Sequence, residues 1–130
     1  MNILITLPKD LIGKIISGDK VYEMRKCQPM YMVVGVDGFF VVEKGTDEVR
    51  CWCRVDRVIF KFMDNINAVK YAPELCVSED YVMRYAKRNY VYLWKIGKVI
   101  KHEGLKRFHL CVEKNPQSFA YCPLSYGESY

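Results

Sequence analysis

Two long runs of alternating residues constrain this chain more than any other feature. Residues 49–60 read VRCWCRVDRVIF and residues 89–100 read NYVYLWKIGKVI, and both are rich in β-branched and aromatic side chains. In the first run Val49, Cys51 and Cys53 alternate with Arg50, Trp52 and Arg54, which is the period of a strand with two different faces. These runs predict long strands. The face with the two arginines and Trp52 is either exposed to solvent or a surface for phosphates and bases.

The amino-terminal segment predicts a strand followed by a helix. Residues 2–6, NILIT, are typical of a short buried strand, and Pro8 suits the first turn of a helix. Gly18 stands where a left-handed residue ends a helix, because glycine adopts that conformation without a Cβ clash. The helix has an apolar stripe at helical spacing, formed by Leu11, Ile12, Ile15 and Ile16.

The remainder of the chain adds short helices and further strands. Residues 64–88 have helical character, with Pro73 predicted to end one helix and Ser78 to cap the next. Residues 105–112 and 119–122 predict two more strands. The total is six or seven strands with two or three helices. This pattern favours an α+β fold, a small antiparallel β-barrel with flanking helices, one of which covers a mouth of the barrel.

The length of 130 residues is that of a single domain. We expect this domain to span residues 1–125 and residues 126–130 to form a loose tail. The chain has no run of about 18 apolar residues and no basic region before its first apolar segment. These observations predict a cytoplasmic protein that does not associate with a membrane. The sequence leaves the oligomeric state open.

The charge is unevenly distributed along the chain. The net charge is +5, and residues 84–114 contain nine basic and two acidic side chains. This asymmetry favours an anionic partner, although a solubilising surface is an equal alternative. If the segment contacts nucleic acid, we expect phosphate contacts from Lys98, Lys101, Lys106 and Arg107.

The six cysteines include no C-x-x-C pair. Without a secretory signal they are predicted to be reduced thiols. A metal site formed by Cys51, Cys53 and His109 remains an alternative, but buried small side chains are the better interpretation of the two cysteines. We expect no cofactor.

A polar cluster follows the first helix, in the segment SGDKVYEMRK. The period of a strand places Glu23 and Arg25 on one face, with Lys20 close enough to join them, while Tyr22 and Met24 face the core. The cluster is either a solvated edge or the lining of a cleft.

These residues carry a family resemblance. The segment ILITLPKDLIGKIISGDKVYEMRK, residues 3–26, resembles the opening of ASCH domains, which belong to the PUA-like superfamily. The family signature Gly-x-Lys-x-x-Glu-x-Arg is matched by Gly18, Lys20, Glu23 and Arg25. Residues 115–121, NPQSFAY, are similar to a Pro-Gln-Ser-Phe-x-Tyr segment in one branch of the family. The two motifs lie almost a hundred residues apart in the family's order.

The resemblance implies a β-barrel with a cleft lined by the signature residues, and an RNA or nucleotide ligand. Under this hypothesis Lys20 and Arg25 bind a phosphate or a base edge, and Glu23 accepts a hydrogen bond from an exocyclic amine. The alternative is that Glu23 only pairs with Arg25. The resemblance also suggests ligand contacts from Gly18 and, across the cleft, from Gln117, Ser118 and Tyr121.

Two further functions remain open. Some ASCH proteins are hydrolases, either amidohydrolases of a modified nucleoside or ribonucleases, and an enzyme of this type would use Lys20 and Glu23 as catalytic residues. The amidohydrolase group resembles Gly-x-Lys-x-x-Thr-x-Arg, so Glu23 replaces its candidate nucleophile and that activity does not carry over. The third hypothesis is a protein-interaction module, which predicts an exposed apolar patch in place of a polar cleft.

Overall fold

A computed structural model describes residues 1–27, 36–63, 65–86 and 91–122. Its six strands form one sheet in the order β2-β5-β4-β3-β1-β6. The strands are β1 (Asn2–Leu7), β2 (Tyr22–Arg25), β3 (Gly38–Glu43), β4 (Glu48–Met63), β5 (Val91–Lys106) and β6 (Ala120–Cys122).

The sheet curls into a half-barrel, which confirms the predicted α+β class. Four of its five strand pairings are antiparallel, and the long strands β4 and β5 form its centre. The pairing of β1 with β3 is parallel, with Ile3 opposite Phe39. A parallel pair needs a crossover connection instead of a tight hairpin. The segment between β1 and β3 supplies it, and it contains the first helix and β2.

Within the described ranges, four α-helices flank the sheet: α1 (Lys9–Ser17), α2 (Asn65–Ala68), α3 (Ala72–Leu75) and α4 (Glu79–Tyr85). Helix α1 ends as predicted, because Gly18 has a φ of 86° and its N–H donates to the carbonyl of Ile15. Ser78 caps α4, and its Oγ accepts from the N–H of Tyr81 at 3.0 Å. The prediction for Pro73 was wrong: it lies in the first turn of α3, where a missing N–H costs nothing.

Both faces of the sheet are covered. On β1, Ile3 and Ile5 pack in a core beneath α1, whereas Leu4 packs with Phe40 in a second core on the other face. Trp52 belongs to this second core, is only 7% exposed, and donates its Nε1–H to Asn2 Oδ1 at 2.9 Å. Both sequence-based alternatives for the Arg–Trp face of β4, exposure to solvent and a binding surface, are therefore wrong at Trp52, because this ring is buried and its N–H is satisfied.

The predicted strand at 105–112 is also wrong beyond its first two residues. β5 ends at Lys106, and Arg107–Leu110 form a 3-10 helix. His109 caps this turn, since its Nδ1 accepts from the N–H of Lys106 at 2.9 Å. His102 lies in β5.

Two expectations lie wholly or partly outside the described residues: the loose tail at 126–130, and the part of the basic segment that contains Lys87 and Arg88. In the part of the chain that the structure describes, no helix is long and apolar enough to cross a membrane.

Candidate functional site

A cavity of about 770 Å³ opens between β2, the start of α1 and the helices α3 and α4. This volume lies within the range of cavities that bind small molecules. The turn at 44–45 and the segment 115–117 close its other sides. Its lining comprises Thr6, Leu7, Pro8, Asp10, Leu11, Lys20, Glu23, Met24, Arg25, Lys44, Gly45, Leu75, Cys76, Val77, Ser78, Tyr81, Tyr85, Asn115, Pro116 and Gln117.

The floor of the cavity is an enclosed cluster of three charges. Lys20 and Glu23 are each 4% exposed, and Arg25 is 9% exposed. Glu23 Oε1 lies 3.3 Å from Lys20 Nζ, and Glu23 Oε2 lies 2.7 Å from Arg25 Nε. One carboxylate therefore faces two cations, and the cluster has a net charge of +1. Buried charges are costly unless they are paired, and this arrangement pairs each of them.

Local structure brings these side chains together. Gly18 lets the chain reverse after α1, and the N–H of Lys20 then donates to the carbonyl of Lys14 at 3.0 Å. The ammonium of Lys20 donates to the carbonyl of Leu75 at 2.9 Å. On β2, Tyr22 and Met24 pack in a third core with α2, α3 and α4. The alternation of the strand then directs Glu23 and Arg25 to the opposite face.

The segment 115–118 forms the wall opposite the floor. Thr6 Oγ1 donates to the carbonyl of Pro116 at 2.8 Å, and Arg25 Nη1 donates to the carbonyl of Ser118 at 3.2 Å. Asn115 Nδ2 donates to the carbonyl of Thr46 at 2.8 Å, and its Oδ1 accepts from Arg107. These bonds fix the second sequence motif against β1 and β2, so the two motifs meet in three dimensions.

Two tyrosines form an aromatic side of the cavity. Tyr81 and Tyr85 lie one turn apart on α4, with ring centroids 6.0 Å apart and planes 17° from parallel. Lys26 Nζ lies 4.6 Å above the ring of Tyr85. Burial raises the pKa of the Tyr85 phenol, so this ring stays neutral at physiological pH. Tyr81 is 46% exposed and offers a free ring surface at the mouth.

The structure brings together most of the predicted site residues. Lys20, Glu23, Arg25 and Gln117 line the cavity, and Ser118 reaches the cluster through its backbone carbonyl. Gly18 lies outside the lining and serves to end α1.

Tyr121 also lies outside the lining, on β6, where its ring packs edge-on against Phe119. The helical spacing of Tyr81, Val82 and Tyr85 predicts that all three lie on the buried side of their helix, so sequence reasoning missed the two tyrosines as site residues. Their spacing of four residues is the signal that pairs two rings on one face.

The basic segment contributes little to the cavity. Lys106 forms ion pairs with Asp47 and Glu48, and Arg107 binds Asn115. Lys98 and Lys101 are exposed on β5, with Lys101 Nζ 3.8 Å from Glu103. Of the four side chains predicted to bind phosphate, these two are the most accessible.

The structure does not assemble the alternative metal site. Cys51 and Cys53 are buried on β4, whereas His109 is exposed on the 3-10 helix. Hydrogen bonding with Cys51, together with burial, raises the pKa of Cys53 and keeps this thiol neutral. No group of three or more His, Cys, Asp or Glu within the described ranges has the geometry to hold a metal ion.

Comparisons with solved structures identify the fold. An ASCH protein from Zymomonas mobilis superposes with a TM-score of 0.78 at 16% identity, covering 98% of this chain and 90% of its own. A serine-to-alanine variant of that protein gives 0.78 at 14% identity, covering 98% and 92% of the two chains. A tyrosine-to-phenylalanine variant gives 0.80 at 15% identity, covering 98% and 94%.

No protein-family profile and no curated protein matches the sequence. At these identities the likeness is one of architecture, and it extends over nearly the whole chain. The chain therefore has the fold of the ASCH domains.

Proposed function

We propose that this protein binds RNA or a nucleotide, with one base held in the cavity above the Lys20–Glu23–Arg25 cluster. The observation that carries the proposal is the enclosed cluster itself: three charged side chains at most 9% exposed form the floor of a cavity large enough for a small molecule. A cluster that served only as a surface ion pair would not need a cavity above it.

The surroundings of the cluster support a base as the ligand. The ring of Tyr81 is accessible at the mouth of the cavity, and bases stack on such rings in many single-strand binding proteins. The net charge of +1 on the floor also favours a ligand with electron-rich groups. Lys98 and Lys101 are exposed on β5, where they are available to the backbone of a longer RNA.

The test is binding of nucleosides and of a short single-stranded RNA to matched tyrosine variants. Tyr81 and Tyr121 are exposed to a similar degree, 46% and 42%, but only Tyr81 lines the cavity. We expect Tyr81→Ala to weaken binding by about 1–3 kcal/mol, roughly 5- to 150-fold, and Tyr121→Ala to leave it unchanged. Equal losses in both variants, or none in Tyr81→Ala, would contradict the proposal.

The hydrolase and protein-interaction hypotheses stay as predictions. Glu23 contacts two cations, and Lys20 contacts a carboxylate and a carbonyl. These contacts do not orient either side chain toward a substrate. The floor of the cavity is polar, which does not match the apolar patch that the third hypothesis predicts.

A further inference from the structure

The two cations on the floor of the cavity supply hydrogen-bond donors to a ligand. Each oxygen of Glu23 faces a cation, one at 3.3 Å and the other at 2.7 Å. Lys20 and Arg25 carry only donors. A ligand that reaches this floor therefore meets N–H groups and a net positive charge, while each oxygen of the carboxylate faces a cation.

Arg25 has more donors to spare than Lys20, whose ammonium has three N–H bonds and already contacts the carbonyl of Leu75 and Glu23. A guanidinium has five N–H bonds. Arg25 donates from Nη1 to the carbonyl of Ser118, and its Nε forms an ion pair with Glu23 Oε2 at 2.7 Å. Nε and Nη2 are both enclosed and have no hydrogen-bond partner within the described residues. An enclosed donor without an acceptor is costly, so an acceptor brought by a ligand would be stabilising there.

Arg25 is also the most accessible of the three charges, 9% exposed against 4% for each of the others. The aromatic side of the cavity is formed by Tyr81 and by Tyr85, whose phenol stays protonated because burial raises its pKa. The site thus combines rings that fit a flat ligand with an arginine that lacks acceptors.

We propose that the cavity selects nucleobases that present a keto oxygen to Arg25 over bases that present an exocyclic amine at the same place. Arginine donates hydrogen bonds to the keto oxygens of bases in known recognition geometries. An exocyclic amine in that position would place its own N–H donors against those of the arginine. This inference rests on the proposed function and names its ligand class. It replaces the sequence-based hypothesis that Glu23 accepts from an amine, because each oxygen of Glu23 faces a cation that competes with a ligand for it.

The experiment compares four nucleosides on the unmodified protein by calorimetry: inosine with adenosine, and uridine with cytidine. Each pair exchanges a keto oxygen and its neighbouring ring N–H for an amine and a bare ring nitrogen. We expect the keto member to bind about 5- to 150-fold more tightly in at least one pair, with no reversal in the other. Equal binding in both pairs, or tighter binding of an amine in either, overturns the inference while leaving the proposed function in place.

Further measurements test whether the nucleoside itself, or a phosphate group, binds at Arg25. No binding by any nucleoside or by single-stranded RNA overturns the proposed function itself. Displacement of the keto nucleoside by millimolar inorganic phosphate overturns the keto assignment, because the acceptor at Arg25 is then a phosphate oxygen. Retention of the nucleoside under the same conditions supports it.

Two variants test which side chain is responsible for the selectivity between keto and amine bases. Tyr81→Ala should weaken all four nucleosides by a similar factor and leave the keto-to-amine ratio unchanged; a collapsed ratio would assign the selectivity to stacking. Arg25→Lys keeps the charge but loses the planar fork, so the ratio should fall towards one in protein whose melting transition shows that it is folded. If Arg25→Lys is unfolded, the keto-to-amine ratio measured in Tyr81→Ala alone decides whether the selectivity comes from stacking.

Discussion

Replacing Glu23 by Gln should destabilise the fold strongly. The carboxylate is enclosed between Lys20 and Arg25, and Gln keeps its shape while removing the only negative charge of the cluster. The net charge of the cluster then rises from +1 to +2. Removing one partner from a buried ion pair costs about 3–5 kcal/mol, since it leaves the other charge uncompensated.

That loss is a large part of the roughly 5–15 kcal/mol that a typical domain has in total. For a chain of this length it corresponds to a fall in melting temperature of roughly 10–25 °C. Thermal melts followed by circular dichroism, together with urea titrations, measure both quantities on one preparation.

The matched control is Glu103→Gln. Glu103 also lies near a lysine, Lys101, but its side chain is 84% exposed. The same change there should alter stability by less than about 0.5 kcal/mol. A wild-type melting temperature for Glu23→Gln, accompanied by an absence of nucleoside binding, would refute the reasoning, because Glu23 would then act on the ligand and not on the two cations.

Three further outcomes are expected. Ser78→Ala should cost about 1 kcal/mol in urea unfolding, because the N–H of Tyr81 loses its cap; a neutral result would contradict the capping role. Burial lowers the pKa of His102 below 6.5, so the unfolded chain binds this proton more readily. Stability should fall as the pH drops through 6.5, and His102→Gln should remove that part of the fall; identical pH profiles would contradict the assignment. Replacing Lys98 and Lys101 by Glu should make the slope of log K against log salt concentration for RNA binding shallower, by about 0.7 for each phosphate that is no longer neutralised. An unchanged slope would show that these lysines on β5 face only solvent.

The sequence predicted the parts of the fold that depend on local patterns. The alternation in residues 49–60, the apolar stripe before Gly18 and the cap at Ser78 each require only neighbouring residues, and the structure contains all three elements. The parallel pairing of β1 with β3 was not predictable in this way, because it depends on how a distant crossover packs. The strand pattern at 105–112 was misleading, since the side chain of His109 closes a turn that alternation cannot reveal.

The candidate site was predictable in part. Strand alternation placed Glu23 beside Arg25, and the resemblance brought residues 115–121 to the same cleft. The sequence could not show that each oxygen of Glu23 faces a different cation, because this follows from the positions of two side chains around one carboxylate. It also did not distinguish Gln117, which lines the cavity, from Tyr121, which lies on β6 outside it. That difference depends on where the segment bends after its bond to Thr6.

The central claim is that a base binds above the cluster at Arg25. The most direct measurement is an NMR titration of the ¹⁵N-labelled protein with inosine or uridine. We expect concentration-dependent shifts in the Arg25 side-chain N–H signals and in the backbone signals of Tyr81, Tyr85 and Gln117, with Lys98 and Tyr121 unaffected. Saturable binding that shifts the signals of β5 or β6 and leaves Arg25 unmoved would contradict the account.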